Sequence, residues 1–215
     1  VAIADAGGNQ QQVVLYQQLL QWEQTFTPKK DRTELAPADA ELAEAVEREI
    51  SGTLTYWQSM TLLCMQLGAF LGMYAFGYLA TRIGRRPTFL IAYLAAMVMT
   101  AFVFKNLSGP YDLWMLVLMG FFQLSLFAGY AIYFPEIFPT HLRSTGTSFC
   151  YNVGRYIAAF GPTLFGLLTA RVFTGPDYPV PDNWRYAGMS MSCVFLVGVV
   201  TLWFAPETKD QPLPE

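Results

Sequence analysis

Arg155 stands inside "SFCYNVGRYIAAFGPTLFGLLTA" (148–170), with Asn152 three residues before it and no other charge in the stretch. A guanidinium in such company meets an anionic group of a ligand, an acidic partner on other sequence, or backbone carbonyls together with Asn152. Asn152, Arg155, Ala159, Pro162, Gly166 and Thr169 fall within an arc of ~100° at helical spacing. The small residues among them admit a ligand or a close helix equally well. Gly161-Pro162 should loosen the same helix and free a carbonyl that needs a partner. A second polar set is Gln123, Phe127 and Tyr130, at i, i+4 and i+7. That amide and aromatic surface can hold a small polar solute or simply pack. A third is Arg82, Arg85 and Arg86, three permanent charges within five positions.

The elements that must position these residues are set by composition. At 53% hydrophobic, 16% aromatic and 13% charged over 215 residues, the chain is far from the roughly 25% charged of a soluble protein. Five predominantly apolar runs, about 57–80, 88–104, 111–134, 144–172 and 187–205, are each long enough to cross a ~30 Å hydrocarbon core as a helix. Strands are excluded there, because period-2 alternation is missing and an open strand cannot satisfy its backbone in lipid. Counted from Ser144, Arg155 lies roughly 17 Å along the fourth run, near the middle of the bilayer. A charge there costs at least about 2.5–3.5 kcal/mol and must face protein or water. Apart from Asp112 at the very start of the third run, no carboxylate lies inside the five runs to pair with it.

The breaks fall at "KNLSGPYD" (105–112), at "FPEIFPTHLR" (134–143), where Pro135 should end the third span, and at the three-proline loop "TGPDYPVPDN" (174–183). Residues 1–50 are a different material and carry nine of the sixteen acids. Short amphipathic helices fit 37–50, with Pro37 near a helix start and Leu42, Val46 and Ile50 four apart, and 13–26. The expected organisation is an extracytoplasmic acidic linker over 1–55, a helical half-bundle over 56–206 and a cytoplasmic tail over 207–215. Orientation follows from the basic residues: three arginines in 81–87, Arg143 and Lys209 on one side, against Lys105 and Arg185 on the other. Arg-rich short loops stay inside, which puts the C-terminus in the cytoplasm and the acidic segment outside. Fifty residues outside without a leader imply a further span upstream, so the chain is expected to be part of a larger membrane protein.

Polar content sorts the spans. The second and fifth carry no charge, Asn or Gln, which suits lipid-facing helices, whereas the first carries Gln58 and Gln66, the third Gln123, and the fourth Asn152 and Arg155. On the first, Gly68 and Gly72 in "GAFLG" match the small-xxx-small pattern of close helix contact. Several function classes drop out. No basic stripe suits nucleic acid. Cys64, Cys150 and Cys193 have no zinc or disulfide spacing, and neither metal nor cofactor is expected. An intramembrane enzyme lacks paired acids or a nucleophile with its base, and His141 sits in a loop beside Arg143.

Three phrases then line up with one family. "GYLATRIGRRP" (77–87) resembles the G-x-x-x-D-R-x-G-R-R loop signature of the major facilitator superfamily. "PEIFPTHLRSTG" (135–146) and "PETKD" (206–210) resemble the PExFPTxxRxxG and PETKG segments of its sugar porters, in the same order. "NVGRYIAAFGP" (152–162) resembles the arginine-containing eleventh helix of its organic-ion and aromatic-acid porters. The resemblance covers about residues 55–210. It implies an all-α membrane fold in which the five spans are helices eight to twelve of twelve, preceded by a missing seventh helix and N-terminal half. It further implies a cytoplasmic lattice of ion pairs among Arg82, Arg85, Arg86, Glu136, Arg143 and Glu207 that latches one state of the transport cycle. Two positions depart from the pattern: Thr81 replaces the signature's Asp, and Asp210 replaces the final Gly of the tail phrase.

The expected function is therefore secondary transport of a small polar or anionic metabolite, a sugar or organic acid, by alternating access in the cell (inner) membrane. Arg155, Asn152, Gln123 and Tyr130 are the expected solute contacts, and the expected partners are the bilayer, the solute and the other transporter half. A receptor or assembly subunit that keeps the fold without moving solute is the alternative.

Overall fold

The computed structural model describes residues 37–175, 178, 182–212 and 214. Helices follow one another as α1 (Pro37–Ile83), α2 (Arg85–Asn106), a 3-10 turn (Pro110–Asp112), α3 (Leu113–Ile137), α4 (Arg143–Ala158), α5 (Gly161–Leu167), a π-helical turn (Leu168–Val172), α6 (Asp182–Met191) and α7 (Val194–Thr201). Among the described residues there is no strand. Four segments are long and apolar enough to cross a membrane: Ser51–Ile83, Arg85–Asn106, Leu113–Ile137 and Asp182–Thr201. The remaining apolar run, 144–172, is divided among α4, α5 and the π turn. The helix expected over 37–50 is continuous with the first span, and the one suggested over 13–26 lies outside the described residues.

The chain divides into two compact units, Val1–Met60 and Thr61–Glu215. Within the first, the described contacts are local: Thr55 Oγ1 donates to the Ser51 carbonyl at 2.7 Å, and Tyr56 meets Trp57 edge-on at 5.3 Å. The second holds the core and every candidate site residue.

Its core begins at a seam of glycines. A Cβ added at Gly68 would fall on the Val117 carbonyl, one at Gly72 on the Phe121 carbonyl, and one at Gly120 on the Met65 carbonyl. Backbone meets backbone from both sides, which only glycine permits. The "GAFLG" phrase therefore marks a real contact, between α1 and α3.

α2 completes the core. Thr88, Phe89, Ala92, Tyr93, Ala96, Thr100 and Val103 form its buried stripe at three- and four-residue spacing. Phe89 is the hub, edge-on to Phe76 of α1 at 5.1 Å and to Tyr133 of α3 at 5.7 Å, and stacked with Tyr130 at 5.6 Å. This corrects the expectation that α2, lacking charge and amide, turns mostly to lipid. Only its other face, with Leu90, Ile91, Leu94, Val98 and Phe102, stays exposed. Lipid and protein interior are equally apolar, so composition cannot tell the two faces apart. Against α2 pack α6 and α7, where Gly188 faces the Phe104 ring and Gly198 the Tyr93 ring.

Pro135 does not end α3, which runs on to Ile137. A proline in the last turn removes a single backbone bond, and the stop comes at Phe138, held extended (φ -99, ψ 138) before Pro139.

Candidate functional site

α4 has no buried residue. Phe149, Tyr156 and Phe160 are 67%, 75% and 73% exposed. Its ladder stops at Ala158. Ala159 N–H donates to the Arg155 carbonyl at 3.0 Å, Phe160 N–H to the Ile157 carbonyl at 3.2 Å, and α5 begins at Gly161 with Pro162 in its first turn. The break expected from Gly161-Pro162 thus falls just before them, and it places Arg155 in the last turn of α4. A cation there lies at the negative end of the helix dipole, beside carbonyls without intrahelical donors.

Arg155 and Asn152 are both exposed. Asn152 Nδ2 donates to the Ser148 carbonyl at 2.8 Å, which leaves its amide oxygen available. Among the described residues no carboxylate reaches Arg155, the ion pairs being Arg85 with Glu136, Arg185 with Asp182 and Lys209 with Asp210.

Gln123 and Tyr130 are placed differently. Gln123 Nε2 donates to Thr100 Oγ1 of α2 at 2.6 Å, and that hydroxyl donates to the Ala96 carbonyl at 2.6 Å. Tyr130 shares a hydrogen bond with the Tyr93 hydroxyl at 2.8 Å and stacks on Phe134 at 5.5 Å and 10°. Both polar groups tie α3 to α2. The structure brings Arg155 and Asn152 together on α4 and does not bring the four residues into one contact. Thr100 and Tyr93, the partners across the seam, were not foreseen; a Thr and a Tyr on an otherwise apolar span were their only signal.

Of the six charged candidates, Arg85, Arg86, Glu136 and Glu207 meet around the start of α2. The Arg85 guanidinium grips Glu136 with two bonds, Nη2 to Oε1 at 2.7 Å and Nε to Oε2 at 3.1 Å, and Thr208 Oγ1 donates to Glu136 Oε2 at 2.5 Å. Among the described residues Glu207 pairs with no guanidinium. Its two oxygens instead accept the Arg85 and Arg86 backbone N–H groups at 2.8 and 3.0 Å. Gly84, the residue before α2, offers no side-chain cap, so the tail caps the helix in trans. Only a residue without Cβ fits there: Gly84 has φ 105, and a Cβ would sit 3.0 Å from Glu207 Oε2.

The tail is held further by Tyr133 O–H to the Pro206 carbonyl at 2.8 Å and by Lys209 Nζ to the Arg82 carbonyl at 2.8 Å. The Arg82 guanidinium lies over the Tyr78 ring at 5.1 Å. Arg143 Nη2 reaches Thr140 Oγ1 at 3.5 Å, while its buried Nε has no partner among the described residues. Arg86 contributes its backbone and, among the described residues, no ion pair. The two departures from the family phrases are explained here. Thr81 Oγ1 donates to the Tyr78 carbonyl at 2.8 Å and caps nothing, and Asp210 takes the left-handed φ of 58 that glycine usually serves and that aspartate tolerates.

Burial alone would raise the Glu207 pKa, but backbone N–H groups of Arg85, Arg86, Lys209 and Thr208 outweigh it and hold the carboxyl below its ordinary value. A lowered folded-state pKa stabilises the fold fully above the unfolded-state value, and that contribution disappears as pH falls through the folded one. Glu207→Gln should therefore cost about 1–2 kcal/mol at pH 7. In detergent unfolding curves the gap between wild type and variant should close as the medium is acidified past the carboxylate range. A gap that persists in acid would show that the charge is not what holds the tail.

Comparison with known proteins gives one consistent family. The profile of the Major Facilitator Superfamily matches residues 38–215. A Haemophilus influenzae protein named for metabolite transport is 35% identical over 160 residues, 73% of this chain and 35% of that protein. The cis,cis-muconate transport protein of Acinetobacter baylyi is 30% identical over 160 residues, 74% of this chain and 35% of its own length. The proline/betaine transporter of Salmonella typhimurium is 26% identical over 157 residues, 72% of this chain and 30% of its own. The chain spans about a third of the length of these curated relatives.

Proposed function

The chain belongs to the major facilitator superfamily, and from that premise we propose that it forms one wall of a secondary transporter for a small carboxylate-bearing metabolite. The observation that carries this reading is Arg155: exposed, without an acidic partner among the described residues, and at a helix break, on a run whose length puts it, by count, roughly halfway through the bilayer. An organic acid is favoured over a sugar because a permanent cation selects an anionic group, whereas sugars need neutral donors and acceptors. The relatives named for muconate, proline and betaine support this, since those compounds share a carboxylate. Asn152 supplies a neighbouring polar contact. Gln123 and Tyr130 back the site by fixing α3 on α2.

The second wall belongs to a companion half, consistent with the greater length of the relatives. Movement is by alternating access, with the two halves rocking about the midplane site. The cluster around Arg85, Glu136 and Glu207 lies at the cytoplasmic face of a cell (inner) membrane, as the basic loops require, and latches one state. Such a latch is weak enough for solute binding to overcome, because pairs at the surface contribute about 0–1 kcal/mol each.

Uptake of labelled cis,cis-muconate into membrane vesicles from cells making this chain together with its companion half tests the reading. Competition by other small carboxylates, with none by their neutral amides or by hexoses, is expected. Equal competition by the amides would contradict it.

A further inference from the structure

Four tyrosines border the aromatic column of α2, α3 and α4, and three have their hydroxyls satisfied: Tyr93 and Tyr130 by each other, Tyr133 by the Pro206 carbonyl. The fourth, Tyr151, has no hydroxyl partner among the described residues. Its ring is nonetheless fixed. It meets Phe134 edge-on at 5.5 Å and 86°, Phe134 stacks on Tyr130, and Tyr130 is pinned by Phe89 and Tyr93. On a helix with no buried residue, this is an aromatic foothold on the core, as is Phe138 against Gly146.

Tyr151 lies one turn before Arg155, on the same face at i and i+4, and roughly 11 Å along the helix from Ser144, still inside the hydrocarbon core. A phenol there without an acceptor is costly. A rigid ring holding an unpaired O–H beside an unpaired guanidinium is a preorganised pair of donors.

We propose that Tyr151 is a solute-binding residue, its hydroxyl donating to the same carboxylate that Arg155 holds. A carboxylate offers about four acceptor sites, of which a guanidinium fork fills two. The phenol takes a third and sets the plane of the group, so Arg155 supplies charge selection and Tyr151 the orientation that distinguishes one carboxylate from another. The inference rests on the transport reading above and deepens it.

The test is a double-mutant cycle on cis,cis-muconate uptake by membrane vesicles that hold this chain with its companion half, normalised to the amount of protein in the membrane. Tyr151→Phe keeps the ring and its contact with Phe134, so a merely packing role leaves KM unchanged. The expected result is a KM raised about tenfold with Vmax retained, and no further loss when Tyr151→Phe is added to Arg155→Ala. A wild-type KM in Tyr151→Phe, or a loss confined to Vmax, overturns this inference and leaves the transport reading standing. A wild-type KM in Arg155→Ala overturns both.

Discussion

Replacing Gly72 with leucine is expected to separate α1 from α3 and to destabilise the half-bundle by at least about 3 kcal/mol. Most core substitutions are relieved by neighbouring side chains that turn aside. Here the obstacle is the Phe121 backbone, with Val117 and Met65 carbonyls set against Gly68 and Gly120 on the same seam, and a carbonyl held in its own helical ladder cannot turn. Moving the helices apart would then loosen Phe76 from Phe89 at the hub of the core. In lipid no hydrophobic gain opposes that separation, because association depends on close packing. Gly77 on the same helix is the control, since a Cβ there meets nothing within 4 Å. Unfolding by SDS in mixed micelles should show Gly72→Leu melting far earlier than Gly77→Leu, and equal midpoints would mean that the seam does not hold α1 to α3.

Arg155→Ala carries the second large effect. If the guanidinium holds the solute carboxylate away from bulk water, removing it forfeits a charge-assisted pair of about 2–5 kcal/mol, which is roughly 30-fold to several thousand-fold in apparent affinity. Protein abundance in the membrane should not fall, because Arg155 is exposed, makes no ion pair among the described residues and lies on a helix with no buried residue. Vesicle uptake near wild type in Arg155→Ala would remove the solute from this residue. Loss of the protein from the membrane would instead give Arg155 a structural role.

Much of this was legible in the residues, and the gaps have physical causes. The apolar runs located the helices, and the Gly161-Pro162 dipeptide announced the break below Arg155, because a missing N–H is a local property. Periodicity placed Gln123 and Tyr130 on one face but could not say that Thr100 and Tyr93 lie opposite, since what crosses a seam is a tertiary fact. The charged cluster shows the same limit. The family resemblance implied a lattice of side-chain ion pairs, yet among the described residues only Arg85 and Glu136 of the six form one, while Glu207 finds the bare start of α2. A helix end without its own cap attracts an anion as effectively as an arginine does, and sequence does not reveal which of the two a carboxylate will reach. The burial of α2 was hidden because a span with two apolar faces reads the same whether lipid or protein covers it.

The central claim is that the Arg155 position opens onto water partway across the membrane. Arg155→Cys, in a protein whose Cys64, Cys150 and Cys193 are replaced by alanine, tests it with a charged, membrane-impermeant thiol reagent applied to intact vesicles. The account predicts modification of the introduced thiol by the charged reagent. Reaction with a bilayer-soluble maleimide alone, with the charged reagent inert from either side, would place that position against lipid and contradict the account.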